Sequence, residues 1–212
     1  MESMRKIAVT GATGFIGTRL VETLVRKGHI VYPIDRSFKQ VECDMIYHLA
    51  CPSSTEYMNS NPREVMDTIM DATRKALDIC PGAFFVNASS MGAKFIEVDK
   101  SPQTAYNVAK RCMEVYLQYS AGVASYINYR IPSVYGPGAS PDSFIQRCID
   151  GTAYMPTDPN KLHYIAHIDD VVEAMADCKQ IHIEEITLGQ IYELFNSGRR
   201  GLHRPATDQS TL

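Results

Sequence analysis

Tyr106 and Lys110 stand four residues apart in the segment YNVAK. On a helix that spacing puts a phenol and an ammonium on one face. A free tyrosine ionises near pH ~10, so a base useful near pH ~7 needs that value lowered by about three units, or ~4 kcal/mol. A neighbouring ammonium favours phenolate, and so does the positive nicotinamide ring of an oxidised dinucleotide. Such a phenol takes a hydroxyl proton while hydride leaves the same carbon for the nicotinamide. Ser90, just past the apolar run AFFVNA (83–88), is placed to hydrogen-bond the carbonyl oxygen that develops. The spacing alone is weak, because the chain has 12 tyrosines and a surface i,i+4 pair is the plain alternative. Its place at the carboxyl edge of a sheet, where open α/β folds bind ligands, gives it weight.

A second group of residues specifies what would face that phenol. Gly11, Gly14 and Gly17 follow the short strand KIAVT (6–10) and open a helix. The first glycine permits a tight turn, the second lets a pyrophosphate approach the backbone, and the third allows close helix–strand packing. The helix N-terminus offers free N–H groups and a positive dipole end. This pattern, with strand and helix in place, predicts a dinucleotide site. Asp35 ends the second strand, where a carboxylate accepts from the adenosine ribose hydroxyls and repels a 2′-phosphate. That favours NAD over NADP. Arg36 works the other way, since a guanidinium binds such a phosphate.

The elements that must position these groups follow from periodicity. Strands are predicted at 6–10, 30–34, 45–50, 83–88 and 124–131, and helices at 15–27, 62–80 and 103–120. Pro33 argues for an edge position of the second strand, and Pro62 suits a first helical turn. Strands alternating with helices predict an α/β, Rossmann-like, doubly wound parallel sheet. After Pro132 the pattern loosens, with short helices expected near 141–150, 169–179 and 187–196. We read 1–135 as the dinucleotide-binding domain, 136–196 as a small substrate lobe and 197–212 as a polar tail. Asp169 and Asp170 read as helix caps.

Composition narrows the class. With 45% hydrophobic and 21% charged residues the 212-residue chain reads as a soluble globular protein. A net charge of −3 gives no overall attraction to nucleic acid or anionic membrane. The tail cluster Arg199, Arg200, His203 and Arg204 is the exception, and reads as a solvated basic stretch. No apolar run approaches a membrane span, and the N-terminus shows no signal peptide. The six cysteines (43, 51, 80, 112, 148, 178) form no C-x-x-C pair. They read as reduced thiols of a cytoplasmic protein, with no metal site.

Joined in order, these segments resemble the extended short-chain dehydrogenase/reductase family, in its NAD-dependent epimerase/dehydratase group. The resemblance runs from about Arg5 to Leu194 through VTGATGFIG (9–17), MIYHLAC (45–51), NASS (87–90), YNVAK (106–110), RIPSVYGPG (130–138), HIDDVVEA (167–174) and ITLGQIYELF (186–195). HLACPSSTEYMNSNP (48–62) is similar to the nucleotide-sugar decarboxylase and dehydratase branch. The resemblance implies that Tyr106, Lys110 and Ser90 are catalytic. It implies that Gly11, Thr13, Gly14, Phe15, Ile16, Gly17, Asp35 and Arg36 surround the cofactor. Leu49 and Ala50 would line its ribose, and Pro132 would lie near the nicotinamide. His163 falls where many relatives carry an arginine for the substrate diphosphate, and Ser133 where some carry an asparagine. Relatives also pair through the 62–80 and 103–120 helices, which implies a possible homodimer. Here Met66, Met70, Met113 and Tyr116 are candidates for that contact or for the core.

The chain departs from the family in three places. Ten residues (35–44) replace a helix, a strand and another helix between the second and third strands. They reach about 33 Å when extended, enough to cross the sheet but not to build another βα unit. One βα unit should therefore be missing, the second strand should be the sheet edge, and a wall of the adenine pocket is lost, with Asp44 a weak substitute. Met91 and Gly92 stand where dehydratases and decarboxylases carry an acidic residue, and nothing in the sequence turns Glu97 inward. A strand of the substrate lobe is missing, and Cys178 to Glu185 do not convincingly replace it. Three functions fit. The first is a nucleotide-sugar epimerase/dehydratase using NAD. The second is a reductase or dehydrogenase of a non-nucleotide carbonyl. The third is a non-catalytic dinucleotide-binding module.

Overall fold

Five short apolar runs pair into one parallel sheet in a computed structural model that describes residues 3–52, 55–95, 104–120 and 125–198. In chain order the first half holds β1 (Lys6–Thr10), α1 (Phe15–Arg26), β2 (Ile30–Ile34), β3 (Met45–His48), α2 (Thr55–Ser60), α3 (Pro62–Leu77) and β4 (Phe84–Ser90). The second half holds α4 (Met91–Phe95), α5 (Ala105–Tyr119), β5 (Tyr126–Ile131), β6 (Ser133–Tyr135), α6 (Phe144–Ile149), β7 (Leu162–His167), α7 (Ile168–Ala176), β8 (Glu184–Thr187) and α8 (Leu188–Asn196). The main sheet has the order β2-β1-β3-β4-β5, all parallel.

Strands buried on both faces need apolar cover on both. On one face α1 and α7 bring Leu20, Leu24, Val171, Val172 and Met175 against Ile7, Val9, Tyr47 and Val86. On the other, α3 and α5 bring Val65, Ile69, Met113 and Leu117 against Ala8, Ile46 and Phe85. Pro62 sits in the first turn of α3. The Thr104 side chain caps α5 by accepting from the Asn107 N–H at 3.2 Å. That cap fixes where the helix carrying Tyr106 begins.

The 35–44 link carries no strand or helix, and β2 is the edge of the sheet. The Ile30 N–H donates to the Arg5 carbonyl. Ile30, Tyr32 and Ile34 therefore turn their backbone groups toward β1, while Val31 and Pro33 turn theirs outward.

Beyond Pro132 the structure holds more order than the sequence predicts. β6 and β7 pair in parallel and β8 adds antiparallel, making a second, three-stranded sheet. α6 and α8 close over it around Tyr135, Ile145, Ile165, Ile191 and Phe195. Glu184–Thr187, which leads into the ITLGQIYELF segment, pairs with Leu162–Ile165, while residues 177–183 before it carry no strand. The short helices α2 and α4 also escaped the sequence reading. The helix expected at 169–179 is α7, ending at Ala176. Its cap is His167, whose side chain accepts from the Asp169 N–H, while Asp169 and Asp170 sit in its first turn. Glu97 and the tail cluster 199–204 lie outside the described residues.

Candidate active site

The turn after β1 is built for contact between backbones. Gly11 has φ +68°, and a Cβ there would lie 2.7 Å from the Ala50 nitrogen and 2.8 Å from the Leu49 carbonyl carbon. A Cβ on Gly17 would lie 2.0 Å from the Gly11 oxygen. The Gly14 N–H donates to the Gly11 oxygen at 3.0 Å. Gly14 caps α1 with no side chain, and the first turn holds no acidic residue. The helix start thus presents a bare, positive end, with Thr13 exposed beside it and Phe15 and Ile16 half-buried behind. Gly14 is exposed, and a Cβ there would meet only the Gly11 oxygen, at 3.3 Å; this open helix start fits a dinucleotide diphosphate. Gly138 closes from the second lobe, its added Cβ reaching 3.7 Å from the Phe15 ring.

Asp35 follows β2 and is exposed, as is Arg36. The Ser37 hydroxyl donates to Asp35 Oδ1 at 2.5 Å and the Ser37 N–H to the same oxygen at 2.8 Å. These bonds hold the Asp35 carboxyl below its usual range. Its Oδ2 has no partner among the described residues.

Ser90, Tyr106 and Lys110 come together. Ser90 is the last residue of β4, and its Oγ accepts from the Gly92 N–H at 3.1 Å. Tyr106 lies in the first turn of α5 and Lys110 one turn on. Lys110 is 3% exposed. Its Nζ donates to the Ala88 carbonyl at 2.7 Å and stands 5.6 Å from the centroid of the Tyr106 ring. Ser90 and Cys51 both lie near enough to the Tyr106 phenol to shift its ionisation. Cys51 lies near enough to Lys110 to influence its ionisation as well. Cys51 was missed as a site residue. Its signal was its place two residues after the Leu49 that follows β3, at the same carboxyl edge.

Electrostatics qualify the sequence expectation. Burial pushes the Tyr106 phenol up, the Lys110 ammonium and Ser90 pull it down, Cys51 pushes it up, and the balance lies above the ordinary tyrosine value. Burial pulls Lys110 down, but Cys51, Tyr106 and Glu114 outweigh it and hold the ammonium charged. From the chain's own groups alone, then, Lys110 moderates the phenol without making it acidic.

Behind this group Glu114 locks α5 to the sheet. Arg130 donates to both its oxygens, at 2.9 and 2.7 Å, Arg111 to one at 3.0 Å, and the Ser89 hydroxyl to the other at 2.5 Å. Gly92 is tight against α5, since an added Cβ would fall 2.1 Å from Asn107 Oδ1. A side chain at position 92 would have to displace the Asn107 amide.

In the second lobe Ser133 Oγ and His163 Nε2 are 2.8 Å apart across β6 and β7. Burial, then Lys161, holds His163 below its ordinary value. Pro132 is buried between β5 and β6. Met113 belongs to the core, Met66 and Met70 pack half-buried against it, and Tyr116 is exposed. All six cysteines are free. Among the described residues no group of three or more His, Cys, Asp or Glu is arranged to hold a metal, and no helix is long and apolar enough to cross a membrane.

A parallel sheet whose first strand turns through three glycines into a helix defines the dinucleotide-binding α/β class. The model of the NAD dependent epimerase/dehydratase family matches residues 7–178. The chain belongs to that family. It is 29% identical over 117 residues to UDP-glucuronic acid decarboxylase 1 of Arabidopsis thaliana, covering 43% of this chain and 25% of that one. It is 23% identical over 224 residues to a probable UDP-glucuronate 4-epimerase of Rhizobium meliloti, covering 79% and 66%. Among solved structures, MoeE5 in complex with UDP-glucose and NAD superposes with a TM-score of 0.71 at 22% identity, covering 91% of this chain and 81% of that one. The chain spans 25% of the length of the plant decarboxylase it matches.

Proposed function

We propose that this chain is an oxidoreductase-type enzyme that uses NAD to epimerise, or otherwise modify, the sugar of a nucleotide sugar. The observation that carries this reading is the meeting of Ser90, Tyr106 and Lys110 at the carboxyl end of β4. NAD, when bound, supplies a hydride acceptor for the substrate carbon. Gly11, Thr13, Gly14, Phe15, Ile16 and Gly17 would seat its diphosphate, Asp35 and Arg36 would flank its adenosine ribose, Leu49 and Ala50 would line its ribose, and Pro132 would lie near the nicotinamide. Tyr106 takes the substrate hydroxyl proton and returns it in the reverse step. Ser90 donates to the oxygen that loses that proton. Lys110, fixed on the Ala88 carbonyl, keeps a positive charge beside the phenolate. Ser133 and His163 contact the substrate. Residues 1–135 act as the cofactor domain and 136–196 as the substrate lobe, in a cytoplasmic protein that pairs through α3 and α5.

The test is incubation of the purified chain and NAD with UDP-, GDP- and dTDP-sugars, products being separated by chromatography. An epimerised, oxidised or dehydrated sugar that Tyr106→Phe no longer yields supports the reading. No turnover of any of them counts against it. A second reading, reduction of a non-nucleotide carbonyl, draws on His163 in place of an arginine and on Met91 and Gly92 in place of an acidic residue. NADH oxidation with simple ketones or aldehydes, without turnover of nucleotide sugars, selects it.

A further inference from the structure

His48, the last residue of β3, is 2% exposed and touches no residue that the proposed chemistry uses as acid or base. Its Nδ1 lies 2.9 Å from Thr10 Oγ1 and its Nε2 3.2 Å from Thr73 Oγ1. The proton positions follow by elimination. Thr73 has one hydroxyl hydrogen and gives it to the Ile69 carbonyl at 2.8 Å. Thr73 must therefore accept from His48, so the hydrogen is on Nε2. The bare Nδ1 then accepts from the Thr10 hydroxyl, whose oxygen accepts from the Ala50 N–H at 3.2 Å. Burial, with Lys110 nearby, pushes the imidazole down to about 3, so it stays neutral.

The result is one unbroken run of donors from Ala50 through Thr10, His48 and Thr73 to Ile69. Each bond polarises the next. The run joins three elements: β1, which leads into the glycine turn; the Leu49–Ala50 backbone pressed against Gly11; and α3. It also uses the Ala50 N–H, leaving that stretch to meet a ligand through other atoms.

We propose that His48 is a positioning residue for NAD, holding Leu49–Ala50 against the glycine turn through its Nε2–H tautomer. The inference rests on NAD occupying that turn. The test is isothermal calorimetry of NAD binding to the full chain, with the cofactor-free thermal midpoint of each variant measured alongside. His48→Leu removes both bonds and is expected to raise the NAD Kd about five- to tenfold. His48→Gln keeps one acceptor and one donor and is expected to stay within about threefold of the unaltered chain. Thr73→Val removes the far acceptor and is expected to weaken binding about threefold, which keeps the idea testable if His48→Leu does not fold. Nitrogen NMR of the ring should show a protonated Nε2. Unchanged Kd in folded His48→Leu or Thr73→Val overturns the proposal. So does equal loss in the Gln and Leu variants, or an Nδ1–H tautomer. An unaltered chain that binds no NAD overturns the cofactor reading itself, a result distinct from variants that bind as well as the parent.

Discussion

Lys110 is tied at its tip to the strand that ends in Ser90, its Nζ donating to the Ala88 carbonyl oxygen 2.7 Å away. That hydrogen bond holds the ammonium in place, so its distance from the phenol does not depend on a mobile side chain. Lys110→Met keeps the packing and removes the charge. We expect kcat/KM to fall about 100- to 1,000-fold. Activity that needs the Tyr106 phenolate rises as pH passes the phenol's ionisation. Without the ammonium that rise moves to higher pH, since Lys110 pulls the phenol down. A pH–rate profile that keeps its rising limb in place would remove Lys110 from this role.

Glu114 should be the most sensitive polar residue for stability. Its side chain is 2% exposed and takes bonds from Arg130, Arg111 and Ser89. Glu114→Ala strands those donors. With both arginines partly exposed, we expect a loss of about 2–4 kcal/mol in urea unfolding at pH 7.

The same carboxylate gives an acid limb. Burial pushes Glu114 up, but Arg130, Ser89 and Arg111 outweigh it and hold it below the ordinary value. Its contribution is therefore complete above the unfolded-state value, ~4.3. It is lost as pH falls through the lower folded value. Glu114→Gln should show a smaller fall in urea midpoint than the parent between pH 6 and pH 3. Parallel curves would show that Glu114 contributes no such limb.

Two glycines separate packing from backbone strain. Gly17→Ala puts a Cβ 2.0 Å from the Gly11 oxygen and should cost about 3 kcal/mol or more, lowering Tm by about 10 °C. Gly28→Ala meets open space at φ +87° and should cost about 1 kcal/mol, or about 3 °C. Scanning calorimetry orders them. Equal midpoints would contradict the close approach at Gly17.

Asp35 should set the choice between dinucleotides. Asp35→Asn removes the negative charge that faces a 2′-phosphate. The NAD-over-NADP ratio of Kd values is expected to fall about tenfold. An unchanged ratio would assign discrimination to another group.

How much of this was legible beforehand depended on contact range. β1, β2 and their glycine turn are local patterns, and the missing outer unit followed from the length of 35–44. The edge position of β2 is the same deduction seen in three dimensions. β6 has three residues and β7 buries its last three in a row, so neither shows strand alternation. β7 pairs with β6 on one side and on the other with β8, a segment distant in sequence, so neither pairing is a local pattern. The i,i+4 spacing pairs Tyr106 with Lys110, and the end of a strand locates Ser90. Cys51 was not legible, since its approach to Tyr106 and Lys110 depends on how β3 and α5 cross the sheet. The sign of the Tyr106 shift was hidden for a similar reason, because burial is set by the fold around it.

Pro33 has a consequence for life at high concentration. A sheet that ends early exposes a row of backbone groups able to recruit a foreign strand. On β2 the outward positions are Val31 and Pro33, and proline has no N–H to offer. An incoming chain finds one donor where it needs two. Trimming the outer unit thus leaves a border that resists fibre-like stacking, and Pro33→Val would reopen it.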